Sequence, residues 1–107
     1  MAEAKICGIT DPAALDAAIA HGARFVGFVF HPPSPRHLAR NKLAALADRA
    51  RGRVESVIVT VDAEDDLLAA LAAAARPDWI QLHGNEAPGR VADAARHAQR
   101  GAIKAIG

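Results

Sequence analysis

The chain has 107 residues, 51% of them hydrophobic, and 13 Lys and Arg against 12 Asp and Glu, for a formal net charge of +1. That is enough apolar chain for one small domain with a single core, and the balanced, scattered charge gives no reason to expect a nucleic-acid or membrane-surface partner. A lone cysteine excludes an internal disulfide and fits a reducing compartment; with no signal-peptide core at Met1–Lys5 and no apolar run long enough for a bilayer, a cytoplasmic protein is expected.

Strand and helix signals alternate from end to end. Ala4 to Ile9 reads as the first strand, with Lys5 and Cys7 on one face and Ile6 on the other. Asp11-Pro12 starts a helix, Asp11 as N-cap and Pro12 in the first turn, with Ala14, Leu15, Ala18 and Ile19 as its apolar stripe and Gly22 as its stop. Arg24 to Phe30 is a nearly continuous apolar second strand, as expected of one covered on both faces. His31 to His37 holds three prolines and reads as a stiff loop presenting polar side chains. A second helix follows from about Asn41 to Arg51, with Leu43, Leu46 and Ala47 inward and Gly52 as its stop.

Val54 to Val61 is a β-branched third strand. Asp62 reads as the cap of the third helix, with Asp65 as its capping-box acid and Leu67, Leu68 and Leu71 inward, ending before Arg76-Pro77. Asp78 to Leu82 is the fourth strand, His83 to Glu86 a short loop, Glu86 to Arg100 the fourth helix with Gly101 as its stop, and Ala102 to Ile106 the fifth strand. Units of roughly two dozen residues in the order βαβαβαβαβ imply a parallel sheet with right-handed crossovers. Two architectures fit: a barrel of such units, or an open five-stranded doubly wound sheet of the flavodoxin-like kind. In both, reactive groups gather at the carboxyl ends of the strands, where Cys7, the His31–His37 loop, Asp62 and His83 all fall.

Cys7 is either a small buried hydrophobe or, beside a cation on its own strand face, a reaction centre. Lys5 stands roughly 6–7 Å down that face, placed either to tune the thiol or to pair with a carboxylate. Arg36, in the proline-rich loop, reads either as a solvated surface arginine or as a site residue. Gln81 and His83 share one strand face, His83 either orienting a substrate or merely bonded to a neighbouring loop. Asp62 reads as a cap rather than an acid. His31 and His37 lack a zinc spacing and no metal site is expected; His21 and His97 read as helix-surface residues, and Trp79 as packed in the core or against the helices.

Taken in order, Lys5-Ile6-Cys7-Gly8-Ile9-Thr10, Gly27-Phe28-Val29-Phe30 with Ser34-Pro35-Arg36, Gln81-Leu82-His83-Gly84 and Ile103-Lys104-Ala105-Ile106-Gly107 resemble the phosphoribosylanthranilate isomerases. That family comprises (β/α)8 TIM-barrel enzymes of tryptophan biosynthesis. One stretch departs from the family: Val59-Thr60-Val61-Asp62 stands where it usually has Phe followed by Val-Asn. The resemblance implies that residues 1–107 are the amino-terminal half of such a barrel, four βα units plus a fifth strand. It implies an Amadori rearrangement of a sugar phosphate by general acid–base catalysis, without metal or organic cofactor. It assigns the base to Cys7, binding of the anthranilate to Arg36, and the acid to an aspartate of a sixth strand. On this reading that aspartate and the glycine-rich phosphate loops lie beyond the chain, so the fragment alone is expected to be inactive. The alternative is a non-catalytic half-barrel associating with itself or with a carboxyl-terminal half through open sheet edges. A third reading, a thiol hydrolase using Cys7 and His83, finds no oxyanion motif.

Overall fold

The computed structural model describes residues 5–104; Ala4, expected in the first strand, and Ala105 and Ile106, expected in the fifth, lie outside the described residues. The elements are β1 (Lys5–Cys7), α1 (Pro12–Ala20), β2 (Phe25–Phe30), α2 (Arg40–Ala50), β3 (Glu55–Thr60), α3 (Asp65–Ala75), β4 (Trp79–Leu82), α4 (Pro88–Ala95) and β5 (Gly101–Lys104). The sheet order is β1-β2-β3-β4-β5 and every pair is parallel. A doubly wound sheet reverses its order once and places helices on both faces. Here every crossover steps the same way, so all four helices cover one face, which is the arrangement of a partial (β/α) barrel. The flavodoxin-like alternative is thereby overturned.

Strand alternation then gives the sheet an outside and an inside. Val26, Phe28, Ile58, Ile80 and Leu82 point outward and are buried, in two clusters that also hold Leu15, Leu43, Leu46, Leu68 and Leu71 from the helices. Cys7, Gly27, Val57 and Trp79 share one register row and the opposite face. Trp79 therefore faces the inside rather than the helix layer. Its indole N–H donates to Glu55 Oε1 at 3.0 Å. That bond holds the Glu55 carboxyl below its ordinary range against the opposing push of burial, with Arg24 and Arg100 adding to it.

The sheet curls. Lys5 Nζ on β1 donates to Gln81 Oε1 on β4, with two strands between them. In a flat sheet these strands stand three spacings apart, about 14 Å, farther than the two extended side chains reach together. The carboxylate partner that Lys5 might have paired with is thus an amide oxygen.

The α1 start follows the sequence closely: Asp11 accepts from Ala14 N–H at 2.7 Å, and Leu15 and Ala18 are buried. The fourth helix does not run to Arg100. It ends at Ala95, because the amides of Gln99 and Arg100 donate instead to Pro77 O (2.9 Å) and Asp78 O (2.8 Å), which turns the chain into β5 at Gly101. His97 accordingly lies in the turn after α4, 3.0 Å from the Asp65 carboxylate on α3. Asp62 does not cap α3 either. Glu64 holds the N-cap position, without a side-chain bond, while the Asp62 carboxylate accepts from Asn85 N–H at 2.9 Å.

Thr60 is fully buried on the outward face and its Oγ1 finds no hydrogen-bond partner among the described residues. An unmatched buried hydroxyl costs about 1–3 kcal/mol. Thr60→Val, close in shape, is therefore expected to raise stability by about 1 kcal/mol in urea unfolding; an equal loss would show that the hydroxyl is satisfied.

Candidate functional site

The carboxyl ends of the strands form one rim. β1 ends at Cys7, and the chain turns at once: the amides of Gly8 and Ile9 both donate to Gly27 O, at 3.0 and 3.2 Å, with Gly8 at φ +79°. Cys7 is exposed and stands directly opposite Gly27 in the register. A Cβ at Gly27 would lie 2.7 Å from Cys7 Sγ, so the missing side chain is what makes room for the thiol.

The proline-rich loop after β2 is held by its own bonds. Ser34 N–H donates to His31 O (2.8 Å), Arg36 N–H to Ser34 Oγ (3.1 Å), and His31 N–H to His37 Nδ1 (2.9 Å). The His37 ring meets Phe30 edge-on at 4.7 Å, and the buried Leu38 donates its amide to Val29 O at 3.0 Å. Three prolines and this staple fix the loop at small entropic cost. The Arg36 side chain consequently lies over the Gly8 turn: a Cβ there would stand 2.5 Å from Arg36 Cδ and 3.1 Å from Nη1.

A concavity of about 270 Å³ opens inside this rim. Cys7 lines it from β1, Val29, His31 and Ser34 from β2 and its loop, Val59 from β3 and Val61 just beyond it, Gln81 from β4 and His83 just beyond it. Cys7, Gln81 and His83 are thus brought together, Lys5 lies below them bonded to Gln81, and Arg36 crosses the turn beside Cys7. His31 and Ser34 entered the sequence analysis as part of the rim loop but not as site residues; their place in the wall follows from the loop staple. No hydrogen bond joins Cys7 to His83 among the described residues, so the nucleophile–base contact of a thiol hydrolase is not formed. A larger hollow of about 490 Å³ lies at the opposite, amino ends of the strands, walled in part by Arg24, Arg53, Glu55 and Arg100. Its charges are already matched by the pairs Arg24–Glu55, Arg53–Asp16 and Arg100–Glu55, so its size alone does not make it a site.

One group was missed by the sequence reading. Glu86, read there as the start of a helix, has a side chain only 3% exposed, with its carboxylate on the amides of Asp62 and Gly84 (2.8 Å each) and 3.3 Å from Lys104 Nζ. Among the described residues no three His, Cys, Asp or Glu side chains gather as metal ligands would, and no helix is long and apolar enough to cross a membrane.

Comparison with known proteins matches this geometry to one family. The family model of N-(5'-phosphoribosyl)anthranilate (PRA) isomerase matches residues 4–107. The isomerase of Afipia carboxidovorans is 56% identical over 88 residues, which are 82% of this chain and 38% of that protein. That of Nitrobacter winogradskyi is 46% identical over 103 residues, 96% of this chain and 46% of the relative. Among solved structures, a phosphoribosylanthranilate isomerase of Thermotoga maritima superposes with a TM-score of 0.90 at 30% identity, covering 99% of this chain and 53% of that one. A phosphoribosyl anthranilate isomerase in complex with reduced 1-(o-carboxyphenylamino)-1-deoxyribulose 5-phosphate superposes with a TM-score of 0.91 at 30% identity, covering 99% and 54%. The chain therefore spans about half the length of the relatives it matches.

The close approach at Gly27 yields a test. Gly27→Ala places a Cβ 2.7 Å from Cys7 Sγ and forces the sulfur aside, at a strain of about 1–3 kcal/mol. The expected result is a several-fold change in the rate at which a thiol reagent labels Cys7; unchanged labelling with unchanged stability would show that the rim yields freely there.

Proposed function

The chain belongs to the N-(5'-phosphoribosyl)anthranilate isomerase family, and from that premise we propose that it carries the base side of an isomerase site of tryptophan biosynthesis. The observation behind the proposal is the shared concavity of Cys7, Gln81 and His83, with Arg36 laid over the turn that follows Cys7. The solved relative that holds the reduced 1-(o-carboxyphenylamino)-1-deoxyribulose 5-phosphate supports the ligand chemistry.

The reaction converts N-(5-phosphoribosyl)anthranilate to 1-(2-carboxyphenylamino)-1-deoxyribulose 5-phosphate. The furanose ring oxygen takes a proton as its bond to C1' breaks, leaving an iminium between C1' and the anthranilate nitrogen. A base then removes the C2' proton, the electron pair neutralises the iminium, and the resulting enolamine becomes the ketone. Cys7 is the base, at the mouth of the concavity, where its exposed sulfur stands ready to receive the C2' proton. Arg36 binds the anthranilate carboxylate with its fork of N–H donors. Gln81, held by Lys5, and His83 orient the sugar. The acid for the ring oxygen belongs to the second half of a whole barrel, as the family resemblance assigns it. These 107 residues are the amino-terminal half of that barrel domain, with a small sugar phosphate as substrate and the cytoplasm as setting.

In a whole-length isomerase carrying this chain, Cys7→Ala is expected to lower kcat by about 10²–10⁴ with KM changed only a few-fold, the size of a lost general base. Arg36→Lys is expected to raise KM about tenfold, the loss of one charge-assisted bond. Steady-state kinetics measures both, and a Cys7→Ala enzyme of near-normal kcat would remove the base assignment.

A second reading, association of half-barrels, is favoured by Ile6 (41% exposed) on β1 and Ile103 (37% exposed) on β5, the two outer strands of the sheet. For the 107-residue chain by itself the expected outcomes are no turnover of phosphoribosylanthranilate and a sedimentation mass above the 11.2 kDa of one copy. Measurable turnover would overturn the division of the site between halves, and a clean monomer would overturn the association.

A further inference from the structure

We infer that Glu86 is a positioning residue, whose carboxylate fixes the loop bearing His83 against the rim of the Cys7 concavity. This deepens the isomerase reading, and only its kinetic arm rests on that reading.

The loop after β4 has little to hold it locally. It is short, it carries Gly84, and α4 does not begin until Pro88. Glu86 does not cap that helix, whose N-cap is Ala87 with no side-chain bond. Its carboxylate turns back toward the sheet instead. Oε2 accepts the Asp62 N–H at the end of β3, at 2.8 Å, and Oε1 accepts the Gly84 N–H, also at 2.8 Å. Lys104 on β5 approaches Oε1 to 3.3 Å and donates to Gly84 O as well. The clasp is reciprocal, because Asp62 Oδ1 accepts Asn85 N–H at 2.9 Å. It is also tight: a Cβ at Gly84 would stand 2.5 Å from Asp62 Oδ1, so only glycine lets the two loops close this far.

His83 lies between the two ends of this clasp. Its N–H donates to Thr60 O at 2.8 Å and its side chain lines the concavity that Cys7 lines from the other side. The carboxylate therefore ties three consecutive strand ends together immediately after the residue whose ring faces the site. Burial pushes the Glu86 carboxyl up, but its own amide, those of Asp62 and Gly84, and the Lys104 ammonium outweigh that push and hold it below the usual carboxylate range. Charge-assisted bonds of this kind are the strong ones. A carboxamide has the same shape but only one accepting oxygen, so in a glutamine one of the two backbone N–H donors would face an NH2 group.

The test compares Glu86→Gln with the unaltered chain by NMR, following the amides of Asp62 and Gly84 and the ring signals of His83. In the whole-length isomerase it follows kcat and KM. Loss of the low-field amide positions together with displaced His83 ring signals is expected, while Leu15 and Phe28 signals stay in place. In the enzyme, kcat falls roughly ten- to a hundredfold, as for a group misplaced by about 1 Å, with KM within threefold. Glu86→Asp keeps the charge at shorter reach and is expected to shift the same signals by less; it carries the readout if the glutamine variant does not fold. His83 signals unmoved while both amides move would overturn the positioning role and leave Glu86 a purely structural tie. An inactive unaltered enzyme would count against the isomerase reading alone, since the NMR comparison needs no turnover.

Discussion

The structure depends on one constraint: every crossover in the sheet steps the same way. Helices then fall on a single face, and the sheet must curl away from them. The Lys5–Gln81 bond, made over two intervening strands, is the direct physical expression of that curl. Once the sheet has an outside and an inside, period-two alternation decides the rest. Large apolar side chains take the outward positions and pack under the helices, as Phe28, Ile58 and Ile80 do. The inward positions are released from that packing and carry Cys7, Gln81 and, beyond the strand end, His83.

The two ends of the strands then do different physical work. At the amino ends the polar groups face one another. Glu55 collects Trp79, Arg24 and Arg100, and Ser56 and Asp78 exchange backbone and side-chain bonds at 2.9 and 3.3 Å. Such matched groups have little left to offer a ligand. At the carboxyl ends Cys7, Gln81 and His83 face an open concavity, and the loops around it are held by bonds to backbone amides. Ser34, His37 and Glu86 accept from backbone amides of the loops, those of Arg36, His31, Asp62 and Gly84. A rim built this way keeps its shape while leaving the side chains that face the concavity free of ion pairs among the described residues.

The sequence made the local part of this legible and left the long-range part hidden. The order of elements, the Asp11 cap and the stripes Leu15–Ala18 and Leu43–Leu46–Ala47 depend on neighbours within one turn of helix, and a period or a cap announces them. The ends of elements depend on remote partners. The fourth helix stops five residues short because the amides of Gln99 and Arg100 bond to Pro77 and Asp78, twenty-two residues upstream. Asp62 looked like a cap because aspartate before a helix usually is one, but Asn85, from the next loop, reached its carboxylate first. Lys5 was correctly placed on the face of Cys7, yet its partner sits 76 residues away and only the curl brings it near. The candidate site residues were proposed chiefly through the motifs shared with a family, since nothing in alternation alone separates a rim cysteine from a core one.

One local signal, visible in hindsight, connects these cases. Three glycines at the rim each lie where a Cβ would force a neighbouring side chain to shift: Gly27 against the Cys7 sulfur, Gly8 against Arg36 and Gly84 against Asp62. Each falls within a few residues of the carboxyl end of a strand or of the turn that follows one. In a strand interior glycine weakens the pleat and is tolerated where another group must come close. Gly27, set in the apolar run Phe25–Phe30, has no turn to explain it. The side chain it makes room for belongs to the neighbouring strand, so a bare position in one strand answers to a side chain at the facing position of the next, and this pairing can be read only once the register is known.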